Sequence, residues 1–152
     1  MAKVLILIGS RSDDEIIAGA KEVLDEFGVA YKLEIASAHR TPNKVKELAS
    51  NAKSQGIKII ICGAGYAAHL AGAVAANTTL PVLGVPIDSS TLKGLDSLLS
   101  TVMMPSGVPV ATFTIGKSGA KNAAIFAIQI LALSDKNLAK KLENYKKKLA
   151  GS

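Results

Sequence analysis

Tryptophan is absent from the 152 residues, cysteine occurs once, and aromatic residues make up only 4%. A lone thiol, Cys62, rules out an internal disulfide and any cysteine-rich zinc site. It follows Ile59, Ile60 and Ile61, so it is expected to be buried and inert. With so few rings to fill it, the interior must be built from Ala, Val, Ile and Leu, and side chains this small imply helices packed closely on a sheet. No apolar run approaches the ~18 residues of a membrane span. Met1-Ala2-Lys3 leads straight into an apolar segment without a small-residue cleavage pattern, which places the expected site of work in the cytoplasm with no membrane contact. Proline-rich linkers, low-complexity tracts and internal repeats are also missing. A chain of this length is expected to form a single catalytic domain over 1–152.

Acidic residues are outnumbered, and the formal charge is +6. Its distribution argues against nucleic acid as a partner. From Asp135 onward six lysines face only Asp135 and Glu143, a local excess of +4 that leaves +2 for everything before it. Within a lysine-rich helix predicted at about 135–149, Leu138, Leu142, Tyr145 and Leu149 recur at helical spacing and form one apolar stripe. The lysines are then expected to face water. No interleaved aromatics of the kind found on nucleic-acid surfaces accompany them.

Five apolar runs, at 4–8, 31–35, 57–61, 81–85 and 109–113, alternate with helical patterns at 13–27, 42–54, 67–75, 94–101 and 120–133. Continuous β-branched runs indicate strands buried on both faces. Their alternation with helices predicts an α/β fold, a three-layer α/β/α sandwich around a parallel sheet. Ser12 followed by Glu15 reads as a capping box at the start of the first helix. In such sheets ligands bind beyond the carboxyl ends of the strands, and three loops there carry unusual residues.

The first loop, Gly9-Ser10-Arg11-Ser12-Asp13, offers a close backbone, two hydroxyls and a helix N-terminus, which together suit a phosphate. Asp13 could accept from ribose hydroxyls, although capping alone would also explain Ser12 and Asp13. The second loop, Ser37-Ala38-His39-Arg40-Thr41-Pro42, ends on a helix that Thr41 should cap and Pro42 should start. Arg40 there can grip a phosphate in bidentate fashion, and His39 is a proton carrier of ordinary type. The third loop, 63–72, is rich in glycine and alanine and could lie flat against a planar ring, with Leu70 as a dry wall and His69 as a polar tip. Gly63, Gly65 and Ala68 fit G-x-G-x-x-A, but in the third βα unit of a short chain that match does not predict a dinucleotide.

Taken together, Gly-Ser-Arg-Ser-Asp at 9–13, Ser-Ala-His-Arg-Thr-Pro at 37–42 and Gly-Ala-Gly-Tyr-Ala-Ala-His-Leu at 63–70 resemble the N5-carboxyaminoimidazole ribonucleotide mutase family of bacterial and archaeal type. Pro-Val-Leu-Gly-Val-Pro at 81–86, Asp-Ser-Leu-Leu-Ser at 96–100, Met-Pro-Ser-Gly-Val-Pro-Val-Ala-Thr at 104–112 and Lys-Asn-Ala-Ala at 121–124 extend the likeness to about Leu133. The resemblance implies a flavodoxin-like fold, a homo-octamer with sites near subunit junctions, and an isomerase of purine (IMP) biosynthesis that needs neither cofactor nor metal. It implies substrate contacts from Ser10, Asp13 and Arg40, supported by Ser12, Ser37 and Gly65. His39 would be the acid–base residue, and His69 and Leu70 would close the pocket around the transferred carboxylate. One departure is Ala71, where the family commonly has proline, which puts the order of that loop in question. Three rival readings stay open: a carboxylase using free CO2, a non-catalytic nucleotide-binding module, and, more remotely, a dinucleotide oxidoreductase.

Overall fold

The computed structural model describes residues 1–151. Among them one sheet of five parallel strands runs in the order β2-β1-β3-β4-β5, with β1 Val4–Ile8, β2 Tyr31–Ile35, β3 Ile59–Gly65, β4 Val82–Ile87 and β5 Ala111–Thr112. That order is the flavodoxin-like one, whose topological switch point lies between β1 and β3. Helices α1 Asp14–Phe27, α2 Pro42–Ala52, α3 Leu70–Ala75, α4 Leu95–Val102, α5 Lys117–Ala132 and α6 Lys136–Gly151 flank it. The three-layer expectation is borne out.

Alternation along the strands builds the layers. Val4, Ile6, Ile8, Ile59 and Ile61 face α1 and α5, whereas Leu5, Leu7, Ile60 and Cys62 face α2 and α3. Ala120, Ala123, Ala124 and Ala127 are fully buried on α5, so the small side chains expected of this composition do bring that helix close to α1 and the sheet. Cys62 is buried, and burial pushes its thiol upward, away from the thiolate form.

Several boundaries differ from the sequence reading, each for a physical reason. β3 continues past Ile61 through Gly65, because β1 and β4 flank it and their hydrogen bonds hold even a glycine-rich segment extended. β5 shrinks to Ala111–Thr112, the two residues registered against Leu83 and Gly84 of β4, and Pro109 in the same run has no amide to give to a ladder. A 3₁₀ turn over Arg11–Asp13 precedes α1 and removes the capping box. Ser10, not Ser12, caps that turn by accepting from the Ser12 amide at 3.3 Å, while Glu15 pairs with Lys117 Nζ at 3.1 Å. α3 starts at Leu70, later than expected, because Tyr66 turns the backbone with φ 53°.

The C-terminal stripe finds its partner within the chain. Leu138, Leu142 and Tyr145 pack on the α1–α5 side, and the Tyr145 ring meets Phe27 with centroids 5.8 Å apart. Leu149, the fourth member, is half exposed. Not every lysine there faces only water: Lys141 Nζ donates at 2.7 Å to the carbonyl of Phe27, an orphan acceptor at the end of α1. Asp135 Oδ1 accepts from the amides of Asn137 and Leu138 and fixes the start of α6.

Candidate active site

The sheet register brings the strand ends level. Ile8 pairs with Ile35 on one side and with Gly63 on the other, so the loops after β1, β2 and β3 leave the sheet side by side. Backbone bonds from Ala36 to Ile8 (2.9 Å) and from Gly9 to Gly63 (3.3 Å) carry this alignment one residue beyond the strands. The result is a cleft of about 610 Å³ at the switch point, within the range that holds a small-molecule ligand.

Every sequence-predicted site residue lines this cleft: Ser10, Ser12 and Asp13 from the first loop, Ser37, His39 and Arg40 from the second, and Gly65, His69 and Leu70 from the third. They arrive in different states. Ser10 and Ser12 are joined by a 2.8 Å hydroxyl–hydroxyl bond, which leaves each with further capacity toward a ligand. Asp13 is 7% exposed, and burial raises its carboxyl above the ordinary value. A backbone hydrogen bond from Ser10 and the positive charge of Arg40 pull the other way and offset part of that shift. The charge of Arg40 is thus felt at the first loop.

Ser37 serves mainly its own loop. Its Oγ accepts from the Arg40 amide at 3.2 Å, and its amide donates to Thr41 Oγ1 at 2.9 Å. Thr41 occupies the N-cap position of α2 with Pro42 at the first turn, but its hydroxyl is spent on Ser37 and caps nothing in the helix. This closed ring of bonds holds His39 and Arg40 at the loop tip, both exposed toward the cleft. Across it, His69 reaches back from the third loop, and the two imidazole rings meet edge-on with centroids 4.6 Å apart. Leu70 lines the cleft while only 1% exposed, and it belongs to the α2–α3 core as well.

Among the described residues no cluster of three or more His, Cys, Asp or Glu has the arrangement of a metal site, and no helix is long and apolar enough to cross a membrane. What the cleft offers is a proton carrier, a guanidinium, a buried carboxylate and paired hydroxyls, a set suited to a phosphorylated, hydroxylated ligand bearing a group that exchanges protons.

A family model described as AIR carboxylase matches residues 3–152. The chain belongs to that family. N5-carboxyaminoimidazole ribonucleotide mutase of Bacillus subtilis is 56% identical over 138 residues, which cover 91% of this chain and 85% of that protein. The mutase of Thermotoga maritima is 52% identical over 98% of this chain and 86% of its own length. Among solved structures, Treponema denticola PurE superimposes with a TM-score of 0.88 at 30% identity, covering 97% of this chain and 91% of that one. The resemblance read from the three loops is borne out, as is the flavodoxin-like fold.

The family fold also brings in residues that sequence reasoning missed. Asp88 and Ser89, at the carboxyl end of β4, line the cleft, as do Glu15, Ile16 and Tyr66. Gly65 matters through Ser89: a Cβ at Gly65 would strike the Ser89 side chain, so glycine is what lets the end of β3 lie against the fourth loop. The position of Asp88 and Ser89 just past an apolar strand was the signal that could have found them. Ala71 sits in the first turn of α3 and is buried. A proline would fit that turn too, since amides there have no intrahelical partner.

Proposed function

We propose that this protein is an N5-carboxyaminoimidazole ribonucleotide mutase, moving a carboxylate from the exocyclic nitrogen of the aminoimidazole ribonucleotide to ring carbon C4 in purine biosynthesis. The observation that carries the reading is the convergence of His39, Arg40, Asp13 and Ser10 on one cleft, in a chain more than half identical to relatives bearing that name. Ser10, Ser12 and Arg40 hold the phosphate, Asp13 accepts from the ribose, and Gly65 lets the backbone approach the base. Ser37 supports them by fixing the loop that presents Arg40.

Protonated His39 delivers its proton to the exocyclic nitrogen as the N–CO2 bond breaks, and CO2 is released within the cleft. The electron-rich C4 then attacks CO2, and the proton displaced from C4 returns to the imidazole, so the enzyme ends as it began. Retaining CO2 beside C4 replaces chemical activation with a high effective concentration, and no other reactant enters the balance. His69 and Leu70 close the pocket around the transferred group.

The reading extends to one catalytic unit over residues 1–152 that works in the cytoplasm as a homo-octamer. Its support on the molecule is an uncovered apolar stripe along α4 and its flanks, where Leu92, Leu95, Leu99, Val102 and Met103 are all exposed. The family's description as a carboxylase favours one second reading, direct use of free CO2. Purified protein without ATP, given either the carbamate ribonucleotide or aminoimidazole ribonucleotide with CO2, separates them. Rapid C4 carboxylation from the carbamate alone is expected; product only with added CO2 would establish the carboxylase, and product from neither would refute both.

A further inference from the structure

Among the described residues Tyr66 is one of two non-glycine residues with positive φ, at 53°, and it stands at the point where β3 gives way to the turn before α3. The segment is held at both ends. Gly65 is registered against Ile87 of β4, and beyond the bend the His69 amide donates to the Ala67 carbonyl at 2.7 Å while Ala68 is buried. A bulky side chain in left-handed backbone is disfavoured relative to glycine, and such strain concentrates at functional sites. The ring it positions is 62% exposed, lines the cleft, and has neither a hydrogen bond nor a ring contact within the described residues. The other rings lining the cleft, His39 and His69, are engaged with each other. Tyr66 is thus the one uncommitted aromatic face beside a site that, on the function proposed above, takes a planar imidazole.

We propose that Tyr66 is a positioning residue for the base: its ring packs on the aminoimidazole of the bound ribonucleotide and holds C4 toward His39. Aromatic packing on a heterocycle contributes through area and electrostatics at a low ordering cost, because a tyrosine ring has only two side-chain torsions to fix. The residue recognises the base, not the phosphate or ribose.

The test uses binding of aminoimidazole ribonucleotide and of ribose 5-phosphate, which lacks the ring. Tyr66→Gly relaxes the backbone, so its melting temperature should not fall. Its affinity for the ribonucleotide is expected to drop about 5- to 30-fold, on the scale of base–aromatic stacking, while ribose 5-phosphate binds as before. Tyr66→Phe should restore ribonucleotide affinity. Because the chain has no tryptophan and only three tyrosines, the ribonucleotide should also produce a tyrosine ultraviolet difference spectrum that Tyr66→Phe abolishes. Unchanged ribonucleotide affinity in Tyr66→Gly, or equal losses for both ligands, would overturn the proposal and leave the mutase reading intact. Ribonucleotide binding with the difference spectrum but no turnover would overturn the mutase reading alone, and a wild type that binds no ribonucleotide would overturn both.

Discussion

The imidazole of His39, carried by the loop after β2, meets that of His69, carried by the loop after β3, with ring planes at 78° and centroids 4.6 Å apart. Two loops from strands that are not neighbours in the sheet are thereby latched across the end of β1, which lies between them. Edge-on packing restricts the His39 ring, so the residue assigned to proton transfer is held in place before substrate arrives.

His39→Asn should lower kcat by about 10² to 10⁴-fold, the usual contribution of a general acid–base, with ribonucleotide binding largely preserved. His69→Asn removes the ring contact without removing the proton carrier and should lower kcat less. Steady-state kinetics and ligand titration of both variants check this. Near-normal turnover in His39→Asn would sink the assignment, and a larger loss in His69→Asn would transfer the proton role to that residue.

Arg40 acts through affinity. Losing a charge-assisted partner of a phosphate costs about 2 kcal/mol, so Arg40→Ala should raise KM roughly 30-fold with a smaller change in kcat. Added salt should weaken binding to the wild type more than to the variant. A KM equal to that of the wild type would remove Arg40 from the phosphate site.

Asp13 sets a pH dependence. Burial raises its carboxyl above the ordinary value of 3.8, so protonation accompanies folding more readily than it occurs in the unfolded chain. Its stabilising contribution is complete below the unfolded value and is lost as pH rises through the folded one, leaving a desolvated charge that opposes folding near neutrality. Asp13→Asn is therefore expected to raise the melting temperature at neutral pH, with the gap closing as the solution is acidified, while ribonucleotide affinity falls. A gap that widens in acid would show the sign to be wrong.

Leu70 is a core residue as much as a pocket wall. Leu70→Ala should cost about 2–5 kcal/mol of stability, read from urea midpoints, whereas Leu70→Met should cost less than about 1.5 kcal/mol. Assayed at a temperature where it remains folded, Leu70→Ala should also release more CO2 per turnover. Full coupling in a folded Leu70→Ala would leave Leu70 with its structural role alone.

Much of this was legible in the chain because it depends on short-range chemistry. Short β-branched runs bounded by turn residues favour strands, Pro42 suits the first turn of a helix, and the Ser-Ala-His-Arg-Thr-Pro string supplies the groups of a site. The exact caps were not legible: whether Ser10 or Ser12 receives an amide depends on a 3₁₀ turn whose formation follows from how the loop meets its neighbours. Asp88 and Ser89 were missed for a related reason, since two ordinary polar residues acquire a role only when β4 ends beside β3.

By itself the sequence determined the strand and helix inventory, the close-packed aliphatic interior and the chemical groups available to the cleft, because these follow from side-chain shape, periodicity and functional group. Only the tertiary structure decided that Ile8, Ile35 and Gly63 lie abreast, that His39 and His69 touch, that Leu70 turns inward, and that Leu138, Leu142 and Tyr145 of α6 are covered while Leu95, Leu99 and Val102 of α4 stay open. Register and packing are properties of many residues satisfied together: the hydrogen bonds of a central strand must be shared with both neighbours, and no local segment carries that information.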